Sequence, residues 1–189
     1  APGNKRPMKI FLSASLPEYS TPLDEAVFET FLFVFGHCAS AGGHTIVFGS
    51  HPSVTPTLTS VPGLSLEQHG LERFASSMLS TAGVTLHGST DHTTLPADLA
   101  TMRDAMVKDA DMAVFIGGKL SGLGGKPGLL DEAERYADAH PNGTAHVVMS
   151  VGGAVRLLCG DNPMKPICGT MHIRHGPAEM IAKAILPAA

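Results

Sequence analysis

Residues 111–136, DMAVFIGGKLSGLGGKPGLLDEAERY, join a short apolar run to a helix-forming run through six glycines. Met112-Ala113-Val114-Phe115-Ile116 is continuous and stops at Gly117-Gly118, the pattern of a strand buried on both faces. Gly122, Gly124, Gly125 and Gly128 let backbone amides crowd together, and Pro127 suits a helix entry. The order predicts strand, phosphate-sized loop, helix. That helix carries Asp131, Glu132 and Glu134 in its first two turns, where carboxylates interact favourably with the positive end of the dipole. Two readings of them stay open here: solvated groups that stabilise the helix, or, for Glu132, a group facing a ligand held by the loop.

Four more strands are predicted at 8–12, 45–48, 83–87 and 145–150, each short and apolar. Helices are predicted over 23–39, from near Thr55, over 66–79, 96–109 and 128–140, in a short piece carrying Arg156, and over 177–186. Residues 160–176 show no clear period. Strands alternate with helices and no tight hairpin signal joins them, so crossovers connect parallel strands. The fold class is α/β: a single Rossmann-like doubly wound sandwich with a mainly parallel sheet of about five or more strands. In such sheets ligands bind beyond the carboxyl ends of the strands, at the topological switch point. The small-residue turns at Ser13, Gly49, Gly117 and Gly152 all fall at strand ends and so converge on one rim.

With 189 residues and 43% apolar content, the chain suits one domain, residues 8–189, behind a flexible leader, residues 1–7. Thirteen Lys and Arg against 17 Asp and Glu give a net charge of −4, which argues against a nucleic-acid surface or an anionic-membrane binder. No apolar run reaches membrane-spanning length and no signal peptide is recognised. Cys38, Cys159 and Cys168 form no CxxC and leave one over after any pairing, so the expected compartment is the reducing cytoplasm.

No GxGxxG follows the first strand, and neither GxxxxGK[ST] nor GxSxG occurs. Dehydrogenase, P-loop and serine-hydrolase readings are disfavoured. Of ten histidines, His172 with His175 and the pair Asp91-His92 come nearest to ligand spacing, yet no zinc pattern forms, so neither metal nor cofactor is expected. Arg103 precedes the central strand by about one helical segment and can reach over the rim to a phosphate, or pair with a neighbour such as Asp104.

Phe11-Leu12-Ser13-Ala14-Ser15, Val47-Phe48-Gly49-Ser50-His51-Pro52-Ser53-Val54-Thr55-Pro56, and Val114-Phe115-Ile116-Gly117-Gly118-Lys119 with Gly128-Leu129-Leu130-Asp131-Glu132 resemble the SLOG superfamily. Within it they are most similar to the prokaryotic proteins grouped with the ligand-binding domain of melastatin-type TRPM channels. The superfamily includes the lonely-guy phosphoribohydrolases, whose signature is PGGxGTxxE. The resemblance runs from Met8 to about Met149. It implies that Gly117-Gly118 match the paired glycines of that signature, Gly128 its later glycine and Glu132 its glutamate, with Arg103 at the family's cationic position. The chain departs from the pattern at Leu129, which replaces the threonine, at Gly49-Ser50, which replaces Gly-Gly, and in the insertion 119–127.

The resemblance implies a nucleotide or ADP-ribose-like ligand, with the protein acting as a sensor in a signalling or defence pathway. The implied ligand-binding set is Ser13, Ser15, Gly49, Ser50, His51, Gly117, Gly118, Lys119, Gly128, Gly152 and Gly153. The alternative is a nucleotide N-glycosidase using Glu132 and Arg103 as catalytic residues, and a further alternative is a partner-binding domain with an empty rim. For a homodimer, the phenylalanine-rich helix around Phe28, Phe31, Phe33 and Phe35 is the candidate face; its competing role is core packing.

Overall fold

Seven strands make one parallel sheet in the computed structural model, which describes residues 6–77, 83–88, 94–122, 125–159 and 168–187. They are β1 (Lys9–Ser15), β2 (Thr45–Gly49), β3 (Ser65–Leu71), β4 (Val84–His87), β5 (Met112–Gly117), β6 (Thr144–Val148) and β7 (Thr170–Arg174). Their spatial order is β4-β3-β2-β1-β5-β6-β7, and every neighbouring pair is parallel. The fold is therefore a doubly wound α/β sandwich. The chain builds outward from β1 to β4, crosses back to β5, and builds outward the other way. The switch point lies between β1 and β5, whose ends are paired through Ser15 and Gly117.

Strand alternation sorts the core into two layers. Ile10, Leu12, Ile46, Phe48, Val114 and Ile116 face α1 (Pro22–Ala41) and α5 (Ala178–Ile185). Phe11, Val47, Ala113, Phe115 and Val147 face α3 (Leu95–Val107) and α4 (Gly128–Ala139). Helix α1 starts at a capping box in which Thr21 and Asp24 satisfy each other's free amides, and Pro22 sits in its first turn. Of its four phenylalanines, Phe28, Phe31 and Phe35 are buried in the core, whereas Phe33 is 47% exposed. A short α2 (Thr55–Thr59) follows β2.

Two segments differ from the sequence expectation. The helix expected over 66–79 is instead strand β3 followed by a 3-10 helix at Glu72–Ser77. Its polar residues hid it: Gln68 and His69 are buried, and Glu67 is tied to Lys9 (2.9 Å) and to His69 (3.1 Å), so the strand shows no apolar run. Strand β7 lies inside the segment without a period, because it is an edge strand, pairs only with β6, and is mostly exposed. The piece carrying Arg156 is a 3-10 helix, Gly153–Leu158. Residues 1–5 of the expected leader, Asp91-His92 and Gly124 lie outside the described residues, while Arg6 reaches Asp111 at 2.6 Å. Among the described residues no helix is long and apolar enough to cross a membrane.

Candidate functional site

Because all strands run parallel, the turns after β1, β2, β3 and β5 open on one edge of the sheet, where they surround a cleft of about 560 Å³. That volume is in the range of small-molecule sites. Ser13, Ser15, Gly49, Ser50, His51, Arg103, Lys119, Gly128 and Glu132 all line it. Gly117, Gly118, Gly152 and Gly153 do not. Gly117, Gly118 and Gly153 pack backbone against backbone beside the cleft, and Gly152 lies against the Arg156 side chain; Gly118 donates its N–H to Ser15 O (2.8 Å), and its carbonyl accepts from Ala154 N (2.9 Å). Gly117 has φ 71°, and a Cβ there would stand 2.1 Å from Ser15 O. Glycine is thus required at 117 so that β5 can end against β1.

Glu132 is the most unusual group in the wall. Ser13, on the face of β1 that looks toward α4, donates its hydroxyl to Glu132 Oε2, and Arg103 Nε lies 3.6 Å from Glu132 Oε1. The glutamate side chain is 17% exposed. Burial pushes its carboxyl above the ordinary range, and the Ser13 hydrogen bond and the Arg103 charge offset only part of that effect. A carboxyl shifted in this direction suits proton transfer.

Arg103 is held from below by a clamp between α3 and α4. Its Nη1 donates to Asp131 Oδ2 at 2.9 Å; Arg135 Nε reaches the same oxygen at 2.9 Å, and Arg135 Nη1 reaches Asp104 at 2.6 Å. Burial raises the Asp131 pKa, but the hydrogen bonds from Arg135 and Arg103 outweigh it and the net shift is downward. Gly128 makes room for the arginine, since a Cβ there would lie 2.8 Å from Nη2. Arg103 Nε is buried without a hydrogen-bond partner. Beside it, α4 begins at Pro127 with no side-chain cap; Leu130 and Asp131 donate to Pro127 O, while Gly128 and Leu129 border the cleft. An uncapped helix start next to an arginine attracts anions.

Across the cleft, Ser53 donates its N–H (3.2 Å) to His51 Nδ1, which also lies 2.7 Å from the Ser53 hydroxyl. These contacts leave Nε2 as the protonated nitrogen of a neutral ring. Burial, with the charge of Lys119, lowers the His51 pKa and keeps it neutral. Two hydroxyls in this wall are buried without partners, Ser50 Oγ and Thr55 Oγ1, and Thr55 as a whole is only 4% exposed. Orphaned buried hydroxyls are uncommon, and an ordered water or a ligand is the usual partner of such a group.

Thr55, His69, Phe74, Met102 and Ser121 also line the cleft and were not among the residues picked out from sequence. Thr55 opens α2, within the motif that follows β2. His69 and Phe74 reach the cleft because 65–71 is a strand with a 3-10 helix after it, where the sequence predicts a helix. Ser121 anchors the inserted loop by donating its N–H to Glu18 Oε1 at 2.8 Å. No group of three or more metal-ligating side chains occurs among the described residues.

No family model matches the sequence, and no curated protein matches it either. Solved structures do. TM1055, a structural-genomics target, superposes with a TM-score of 0.56 at 15% identity over 94% of this chain and 98% of its own. The molybdenum cofactor carrier protein of Chlamydomonas reinhardtii superposes with a TM-score of 0.51 at 13% identity over 97% of this chain and all of its own, 100%. The likeness is one of fold. It extends over nearly the whole of each chain and includes the Rossmann-like sheet.

Proposed function

We propose that the cleft binds a nucleotide or ADP-ribose-like ligand, its phosphate at the start of α4 beside Arg103 and Lys119 and its ribose near Ser13, Ser50, His51 and Thr55. The observation that carries this reading is the arginine clamped beside an uncapped helix N-terminus, in a cleft also lined by two residues whose buried hydroxyls have no partner. The SLOG resemblance adds the ligand class. That one protein of similar fold is described as a cofactor carrier is an analogy of fold and assigns no residue here.

A second reading has its own support in Glu132. With its oxygen held by Ser13 and its pKa raised by burial, Glu132 is suited to activate water by taking its proton, and in its ionised form it would also stabilise positive charge on a ribosyl ring, as an N-glycosidase requires. Both readings use one ligand pose and separate on turnover. Incubation with nucleoside monophosphates, NAD and ADP-ribose, followed by assay for free base and by thermal denaturation, distinguishes them. Stabilisation without product supports the binding protein. Base released by the wild type and lost in Glu132→Ala supports the enzyme, and no stabilisation by any of these compounds counts against both.

A further inference from the structure

The turn from β2 into α2 lends Ser50, His51 and Thr55 to the cleft. Hydroxyls on this turn and on α2 are of two kinds. Ser53 Oγ lies 2.7 Å from His51 Nδ1 and accepts from Leu16 N at 3.3 Å, while Thr59 and Ser60 donate to Thr55 O (2.8 Å) and Thr57 O (2.6 Å), the back-bonding open to any hydroxyl on a helix. Ser50 Oγ and Thr55 Oγ1 take neither route, and both are buried without a partner. His51 adds a third group: Ser53 occupies its Nδ1, so its Nε2–H is a donor with no protein partner among the described residues. Two hydroxyls that can each donate and accept, beside one neutral donor, complement a vicinal diol, whose own hydroxyls do both. The charged groups of the cleft, Arg103 and Lys119, complement phosphate instead.

Resting on the nucleotide reading of the cleft, we propose that Ser50, His51 and Thr55 are specificity residues that read the ribose 2′,3′-diol, so that the cleft takes ribonucleotides and rejects 2′-deoxyribonucleotides. Thr55 carries most of this discrimination, because it is only 4% exposed. A ligand without the 2′-hydroxyl leaves a buried hydroxyl unpaired, and sites built to bond a ligand hydroxyl reject analogues that lack it.

Isothermal titration with AMP, 2′-deoxy-AMP and ADP-ribose, on wild type and Thr55→Val, tests the assignment. Valine keeps the shape of threonine and removes the hydroxyl. The expected result is a wild type that binds AMP about tenfold or more tightly than 2′-deoxy-AMP, and a Thr55→Val variant in which AMP falls to the 2′-deoxy-AMP level while 2′-deoxy-AMP is unchanged. Without ligand the variant should melt at or above the wild-type temperature, since the hydroxyl removed has no partner in the folded chain. Equal wild-type affinity for AMP and 2′-deoxy-AMP, a variant that weakens both alike, or a variant that melts lower overturns the diol assignment and leaves the nucleotide reading standing. So does a wild type that binds ADP-ribose and neither monophosphate. A wild type that binds none of the three overturns both.

Discussion

A carboxyl kept from water, as Glu132 is, carries a pH signature. Its folded pKa is raised by burial above the ordinary 4.5, so the folded protein holds this proton longer than the unfolded chain does. Stability from this group is therefore lost as pH rises from about 4.5 through the folded value, and stays lost above it. Glu132→Gln keeps a partner for Ser13 and removes the titration. Its melting temperature relative to wild type is expected to climb over that pH interval and then level off; a difference that is flat with pH contradicts the assignment. Gly128 makes a complementary prediction. Gly128→Ala places a methyl 2.8 Å from Arg103 Nη2, so ligand affinity should fall about tenfold, as for loss of one charge-assisted hydrogen bond. Calorimetric titration with ADP-ribose measures that loss.

Helices and strands set where these residues stand. Asp131 of α4 bonds Arg103 of α3 and holds Arg135, which reaches back to Asp104 of α3, so Asp131→Ala should free Arg103 and weaken ADP-ribose binding in a calorimetric titration. The β1–β5 junction is stricter. Gly117→Ala forces a Cβ toward Ser15 O at positive φ and should cost about 2 kcal/mol or more, a drop of roughly 4–8 °C in melting temperature. At the β6–β7 pair, His146 is buried against His172 and accepts from Arg174 Nε at 3.3 Å. Burial, then the charges of Arg174 and His172, lowers its pKa from 6.5 to about 4, so stability is lost as pH falls through that window, where the unfolded chain takes up the proton first. His146→Gln should flatten the fall in melting temperature between those pH values. Apolar strands such as β1, β2, β5 and β6 announced themselves by composition. Strand β3 did not, because polar Gln68 and His69 stand among its buried residues, and β7 did not, because an edge strand needs no apolar face.

Over the whole molecule, parallel topology turns separate sequence motifs into one cleft. Ser13, His51, Arg103 and Glu132 are far apart in the chain and line one cleft; strand-end position pointed to the turns at Ser13 and Gly49, whereas Arg103 and Glu132 stand on helices and were singled out by reach and by spacing from Gly128. Position at a strand end did not separate glycines that line the cleft from those that brace it, since Gly49 and Gly117 look alike in sequence and differ in what lies beside them. Ligand binding should stabilise the entire fold: at a hundred times the Kd, about 2.7 kcal/mol, or roughly 5–10 °C in melting temperature for a chain of this size. The most direct measurement is diffraction from crystals soaked with ADP-ribose. The expected result is phosphate density against the amides of Gly128 and Leu129 and the Arg103 guanidinium. An empty cleft, or ligand ordered only elsewhere, at concentrations that stabilise the protein in solution would contradict it.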